Sequence, residues 1–290
     1  MASSPDVRDP LSRLEAVAAR RPELGGLVRL HRELIPLLFG AAEAESARTI
    51  PDDQAAEKIA AGVPLLRGQS LLFNAEAALA ENWRSVCSVL TRGGNAVEVG
   101  RLAEAVNRRE LSPAGVLEGI IGTGPDDFRK AIELLGLDSL LAASVLRLAA
   151  LPVLAPIARS LERHWNRSGW SRGHCPACGS WPLLAEFRGL EQFRWLRCGL
   201  CAGGWQVDRM FCPFCENRDH RGLQDFFVEG EEQKYRVTVC DGCGGFVRGL
   251  PTLVALSAPA LLVAEIETAH LDFVAERVLA TNGVDRDFGH

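Results

Sequence analysis

Apolar side chains recur every three or four positions through roughly the first 165 residues, which is the spacing of amphipathic helices. Asp9-Pro10 supplies a helix cap followed by proline at the first helical position, and apolar residues follow at helical spacing. Ser112-Pro113 and Asp138-Ser139 mark further helix starts. The pattern predicts about six to eight helices in this region. The apolar stripes that support them are Leu11, Leu14 and Val17; Leu27, Leu30, Leu34 and Leu38; and, over residues 70–90, Leu72, Leu79, Trp83, Val86 and Leu90.

The most apolar run of the chain covers residues 140–157, with the sequence LLAASVLRLAALPVLAPI. It contains Arg147, Pro152 and Pro156, and it continues into a charged stretch. Because a membrane-spanning helix needs about 20 mainly apolar residues, we expect a buried helix pair here and no membrane insertion.

The residue pattern changes near Trp170, from where short apolar runs alternate with glycine, cysteine and turn residues. After Pro259 a last amphipathic helix is predicted, and its role would be to pack back onto the body of the protein. The apolar stripe expected on this helix is Leu262, Ile266, Ala269, Phe273 and Val278.

The composition is that of an ordinary globular protein of one large domain or two modest ones. The chain has 290 residues, of which 47% are hydrophobic and 24% charged, and its formal net charge is −5. A negative chain lacks the basic surface that nucleic-acid binding requires, which argues against a nucleic-acid partner. Residues 1–10 lack the apolar core of a secretion signal, so we expect a cytoplasmic protein.

Eight of the nine cysteines form four Cys-x-x-Cys turns, which repeat in two units. In each unit a C-P-x-C turn leads into an extended run, a polar turn and a returning run that reaches the second pair. The pairs are separated by 19 residues in the first unit and 24 in the second. The repeat predicts two tandem hairpin modules.

Two Cys-x-x-Cys turns brought together by a hairpin place four sulfurs around one point, the tetrahedral set that suits zinc or a single iron. Pairing within each unit is favoured by the repeat, with cross-braced pairing of alternate turns as the competing arrangement. Frequency of use favours zinc over iron. The predicted metal ligands are Cys175, Cys178, Cys198 and Cys201 in the first group and Cys212, Cys215, Cys240 and Cys243 in the second.

The residue after the second cysteine of such a turn favours a positive φ, which glycine adopts without strain. Gly179 and Gly244 meet this preference, whereas Ala202 and Glu216 do not. We therefore expect two regular turns and two less regular ones, and a second group that is more open or less stable than the first.

The region of the cysteines is electrically neutral before metal binding, with ten basic and ten acidic residues between Arg172 and Leu250. Two divalent ions, each held by four thiolates, would bring it to about −4. A protein partner fits this charge better than nucleic acid. The candidate contact residues are aromatic, although such residues more often form the core of a small module: Trp181, Trp195, Trp205 and Phe214.

Other candidate residues carry weaker signals. His174 borders the first turn, and His220 is expected in a loop. Gly119-x-x-Gly122-x-Gly124 superficially resembles a phosphate loop, but without a preceding strand or a lysine it is better explained as a helix end and a turn. Cys87 is expected to be a buried, inert thiol. No nucleophile with a base and no acid–base pair stands out, so we predict a protein that is not an enzyme.

The cysteine region resembles a known family. The segments CPACGSWPLLAEFRG…FRWLRCGLCAGGW and CPFCENRD…VTVCDGCGGFVR, between helices on either side, are similar to the formate dehydrogenase accessory protein family, FdhE. The resemblance is specific over about residues 170–250 and general elsewhere. It implies a cytoplasmic protein that contacts the catalytic subunit of formate dehydrogenase before export. It also implies rubredoxin-like iron sites at the eight cysteines, which shifts the preferred metal from zinc to iron.

The sequence thus predicts a mainly α protein with a small β part. A helical domain (1–168) precedes two rubredoxin-like or zinc-ribbon-like modules (169–209 and 210–252), and a helix and tail close the chain (253–290). The predicted function is formate dehydrogenase maturation, and self-association is left open. The alternatives are a zinc-ribbon interaction module of another pathway and a dithiol oxidoreductase that uses a C-P-x-C pair.

Overall fold

Eight α-helices precede the first strand in the part of the chain that the computed structural model describes, residues 8–40, 50–69, 75–93, 96–122 and 124–281. This number agrees with the hydrophobic spacing. The helix predicted over residues 70–90 is α4, which begins at Glu76; residues 70–74 lie outside the described residues. The helices are α1 (Arg8–Arg20), α2 (Gly25–Phe39), α3 (Asp52–Ala60), α4 (Glu76–Arg92), α5 (Ala96–Asn107), α6 (Pro113–Gly122), α7 (Pro125–Leu134) and α8 (Ser139–Ser168).

Helix α8 is one continuous helix of 30 residues, so the prediction of a helix pair is wrong. The Asp138 side chain caps it by accepting a hydrogen bond from Leu141 N, and Gly169 ends it at a φ of 71°. A proline inside a helix removes the amide hydrogen bond at its own position and crowds the carbonyl four residues earlier, and α8 accommodates both effects at Pro152 and Pro156. By length and composition Ser139–Asn166 could cross a membrane, and 56% of its most apolar window is buried inside the protein.

The helical core is organised around α8 and α4, which pack against each other. Trp83 of α4 is fully buried, and its indole Nε1 donates to the carbonyl of Leu102 in α5. The same core continues without a break into the first cysteine module, where it includes Trp205. Helical body and first module therefore share one hydrophobic interior, whose burial is the main favourable term in folding.

One six-stranded sheet contains both modules, in the order β3-β2-β1-β6-β5-β4. The two predicted hairpins are confirmed as the antiparallel pairs β1–β2 and β4–β5. The parallel pairing of β1 with β6 joins the hairpins, with Ala185 opposite Gly249, and the sequence repeat does not reveal it. The strands are β1 (Pro182–Arg188), β2 (Phe193–Cys198), β3 (Gly204–Gln206), β4 (Leu223–Phe226), β5 (Arg236–Cys240) and β6 (Phe246–Thr252).

The closing segment forms two helices, α9 (Ala258–Thr268) and α10 (His270–Thr281), where one helix was predicted. The break shifts the buried face of α10 to Leu271, Ala275 and Leu279, and Phe273 of the predicted stripe is 76% exposed. Both helices pack beside the sheet, α10 against β5 and β6 and α9 against β6. Packing back onto the body is therefore confirmed. The domain boundaries given above stay a prediction.

Candidate metal centres

The four Cys-x-x-Cys turns share one backbone geometry. In each turn the amide of the residue after the second cysteine donates to the carbonyl of the first cysteine, over 2.9–3.0 Å. The amide of the first cysteine donates to a carbonyl five residues further on, over 2.8–2.9 Å. Two hydrogen bonds thus close each loop and turn both sulfurs toward the same side.

The residue after the second cysteine has a positive φ in all four turns: 85° at Gly179, 55° at Ala202, 58° at Glu216 and 68° at Gly244. The expectation that Ala202 and Glu216 make irregular turns is therefore wrong. The left-handed conformation costs a residue with a side chain roughly 1–2 kcal/mol, and the two hydrogen bonds of the loop hold it there.

The first group brings four buried sulfurs together as the repeat predicts, which excludes cross-braced pairing. The Cys175–Cys201 and Cys178–Cys198 Sγ atoms lie 3.5 and 3.4 Å apart, and the Cys178–Cys201 Sγ atoms 3.6 Å apart. None of the four residues is more than 3% exposed. The amides of Leu200 and Gly203 point at Sγ of Cys198 and Cys201 over 3.4 Å.

The second group has the same arrangement at the surface. The Cys212–Cys243 Sγ atoms are 3.6 Å apart and the Cys215–Cys240 Sγ atoms 3.7 Å apart. Cys212 and Cys240 are buried, whereas Cys215 and Cys243 are exposed. The expectation of a more open second group is confirmed for its exposure, but the cause is its position in the fold and not its turn geometry.

These distances suit a tetrahedral metal. A metal–sulfur bond of about 2.3 Å gives a tetrahedron whose sulfurs are about 3.8 Å apart, close to the spacing in both groups. In each group, one ligand atom from each of the four cysteines lies within 4.8 Å of every other. Four thiolates are a donor set for zinc or iron, so both groups have the geometry to hold a metal ion.

The protonation chemistry of the first group supports the same conclusion. Burial raises the pKa of the Cys175 thiol well above its ordinary value, whereas hydrogen bonds from Cys175, Cys198 and Cys201 hold the pKa of Cys178 well below it. Of these two cysteines Cys178 therefore ionises more readily, and the neighbouring thiols solvate its thiolate. Four thiolates can coexist in this buried position only with a compensating cation.

In the second group burial also acts against ionisation. It raises the pKa of Cys212, and it raises that of Cys243 to about 11. Amides of the fourth turn oppose this effect, and Gly245 N points at Cys243 Sγ over 3.4 Å. Such amides stabilise thiolates and, with them, a bound cation.

Residues 64–67, which we call the cover segment, lie across the first turn and come from the helical body. The amides of Leu65 and Leu66 donate to the carbonyls of Pro176 and Ala177, over 2.8 and 2.9 Å. Both leucines are buried. The ammonium group of Lys58 donates in turn to the Leu65 carbonyl over 3.0 Å. The helical body thus caps the first group, and neither hydrophobic period nor cysteine spacing signals this contact.

A buried ion cluster, not predicted above from the sequence, lies beside the first group. Glu186 of β1 is fully buried and accepts from Arg188, from Arg197 and, over 3.1 Å, from the amide of Leu256. Arg197 also donates to the carbonyl of Ala202 over 2.8 Å, just after Cys201. The one signal in the sequence is a set of charged residues inside otherwise apolar strand runs.

The weaker candidates fall outside both groups. His174 packs edge-on against Trp170 and Trp181, and His220 is an exposed residue of a short 3₁₀ helix. Cys87 is buried on α4, and burial raises its pKa to about 12. Gly119 and Gly122 lie at the end of α6, as expected, and Gly124 directly precedes α7; residue 123, where the predicted turn falls, lies outside the described residues.

Of the four aromatic residues predicted as contacts or core, Trp205 is fully buried and Trp181 is 41% exposed. Trp195 and Phe214 are half-buried. Trp181 and Phe214 pack against each other with ring centroids 5.7 Å apart. The set is thus divided between core and surface.

Comparison with known proteins points to one family. The chain is 27% identical over 119 residues to "Protein FdhE homolog" of Aquifex aeolicus, a match that covers 40% of each chain. It is 32% identical over 82 residues to "Protein FdhE" of Escherichia coli O127:H6, covering 28% of this chain and 26% of the relative. The crystal structure of the FdhE protein from Pseudomonas aeruginosa superposes with a TM-score of 0.60 at 22% identity, over 96% of this chain and 92% of that one. The predicted resemblance to the FdhE family is confirmed.

The structural and the sequence similarity to FdhE proteins cover different lengths of the chain. The structural match establishes the FdhE fold over nearly the whole chain. The sequence matches span only 40% and 26% of the length of these curated relatives. No model of a known protein family matches the chain. Activity and partners of the whole protein therefore belong to the proposal that follows.

Proposed function

We propose that this protein is a cytoplasmic accessory factor for the maturation of formate dehydrogenase. Its eight clustered cysteines hold two metal ions, and its surface binds the immature catalytic subunit. The observation that supports this proposal is the pair of four-sulfur groups on an FdhE fold. The protein acts by binding and not by turnover.

The metal ligands in this proposal are the four cysteines of each group. Iron is favoured by the family resemblance, and zinc is the alternative because a tetrahedral thiolate set accepts both. Either ion, when bound, supplies the charge that stabilises the thiolates, and iron adds the capacity for one-electron exchange. The chain's contribution is to fix four sulfurs at tetrahedral spacing and to aim backbone amides at them.

Metal analysis of anaerobically purified protein tests the nature of the sites. We expect two equivalents per chain, with a red thiolate-to-iron absorption if the metal is iron. Two equivalents of zinc in colourless protein would favour a purely structural ribbon. Substoichiometric metal with titratable thiols would instead indicate a dithiol oxidoreductase.

Partner capture tests the maturation role. In one assay the protein serves as bait for the catalytic subunit of formate dehydrogenase. In a second assay the protein is expressed in cells that lack its own gene, and formate-dependent dye reduction is measured. Cys175→Ser with Cys178→Ser should abolish restored activity, whereas Cys87→Ser, a cysteine outside both groups, should leave it intact. Normal capture and normal activity of the double variant would overturn the proposed role of the first group.

A further inference from the structure

The two cysteine groups have matching turns but differ sharply in access from solvent. Every cysteine of the first group is at most 3% exposed, whereas the second group presents Cys215 and Cys243 at the surface. Because the turn hydrogen bonds match within about 0.1 Å, the difference arises from what surrounds each group.

The first group is enclosed by parts of the helical body. The cover segment lies on its first turn through two backbone hydrogen bonds, and Pro64 packs against Gly179, where a Cβ atom would be 3.1 Å from the proline ring. On another side, a Cβ at Gly203 would meet Cys201 Sγ at 3.2 Å and Ala158 of α8 at 3.7 Å. Because all four cysteines are buried, a ligand can reach these sulfurs only after part of this enclosure moves.

The second group is only partly enclosed, with two of its cysteines buried and two exposed. Phe214 packs against Gly245, where a Cβ would be 2.4 Å from the ring, and it also packs against Trp181. The aromatic pair thus lies beside the fourth turn, whereas Cys215 and Cys243 are exposed to solvent.

We propose that the second group is the exchangeable metal site of this protein and that the first group is the retained one. Ligand exchange and thiol modification begin at Cys215 and Cys243, whereas release from the first group requires opening of the cover segment. Because such opening is a local unfolding event with its own free-energy cost, the two sites lose metal at different rates. The inference rests on the proposed metal binding and adds a division of roles to it.

Metal release from the zinc-loaded full chain tests this division. Excess EDTA is added, and zinc remaining on the protein is measured over time after rapid desalting. We expect one equivalent to leave at least about tenfold faster than the other, since only one site is gated by local unfolding. Alkylation with N-ethylmaleimide, mapped by peptide mass spectrometry, should modify Cys215 and Cys243 before any cysteine of the first group.

Matched variants assign the two phases. Cys215→Ser should remove the fast phase and leave the slow phase unchanged. Leu65→Ala, which loosens the cover segment, should accelerate the slow phase only, and Leu253→Ala, at a leucine 81% exposed, should change neither. The alkylation map of the unaltered protein needs no variant, so misfolding of a variant leaves the test intact.

The outcomes separate this inference from the proposed function. If the chain binds two equivalents of zinc and releases both at the same rate, the division of roles is wrong, whereas the proposed metal binding is still supported. Earlier alkylation of Cys175 or Cys178 than of Cys215 overturns it as well. A chain that takes up no zinc overturns both proposals.

Discussion

Replacing Glu186 by glutamine removes the carboxylate that Arg188 and Arg197 share in the middle of the sheet. The carboxylate is fully buried, and Arg197 is 4% exposed. Glutamine has nearly the same shape, so the change leaves no cavity. It turns an amide group with its own hydrogens toward guanidinium donors, so the buried guanidinium of Arg197 and the partly exposed one of Arg188 lose the carboxylate that they share.

The expected cost is about 3 kcal/mol of unfolding free energy, the lower end of what breaking a buried ion pair costs. For a chain of this size it corresponds to a fall in Tm of about 5 °C or more. Glu104→Gln is the matched control, because Glu104 pairs with Arg108 across one exposed helical turn. Exposed pairs of that kind contribute only about 0.3–0.5 kcal/mol.

Urea unfolding of metal-saturated protein measures both variants, and metal release from the first group gives a local readout. Arg197 links Glu186 to the carbonyl of Ala202, so Glu186→Gln should also speed that release. If Glu186→Gln cost no more than Glu104→Gln, the cluster would not stabilise the sheet and the reasoning would fail.

Four further changes have defined outcomes. Gly173→Ala would put a Cβ atom 1.7 Å from the carbonyl oxygen of Pro213, and we expect circular dichroism melts to show a loss of about 2–3 kcal/mol from overpacking. Ala202→Val places a β-branched residue at a φ of 55°, which should cost about 1–2 kcal/mol in urea unfolding. Burial lowers the pKa of His31, so the unfolded chain binds that proton more tightly and stability should fall as pH drops from about 7 to 5; His31→Asn should flatten this dependence. Cys87, whose pKa burial raises to about 12, should resist iodoacetamide at pH 9 in folded protein and react in urea.

Each of these expectations has a result that contradicts it. An unchanged melt for Gly173→Ala would mean that the two modules do not meet at Pro213. If Ala202→Val and Ala202→Gly were equally stable, a side chain at this positive φ would carry no cost, which contradicts the expectation. A pH dependence identical in His31→Asn would assign the acid sensitivity to other groups, and rapid labelling of folded Cys87 would show that α4 opens readily.

The features that depend on local spacing could be predicted from the sequence. Helical period, hairpin runs and the pairing of cysteines within each unit all follow from residues that are near one another in the chain. A Cys-x-x-Cys turn closes through its own backbone hydrogen bonds, so its sulfurs converge wherever the turn is placed. The sequence was therefore sufficient to predict the eight candidate ligands and the division into a helical and a cysteine-rich part.

The features that depend on distant contacts were decided by the tertiary structure. The cover segment meets the first turn from about 110 residues upstream, and β6 pairs with β1 across the whole second module. No hydrophobic period or sequence motif predicts either contact, because each depends on how the whole chain packs. The same packing buries Glu186 between two arginines. Sequence alone determined where four sulfurs converge; only the fold decided which four are enclosed and which remain open to solvent.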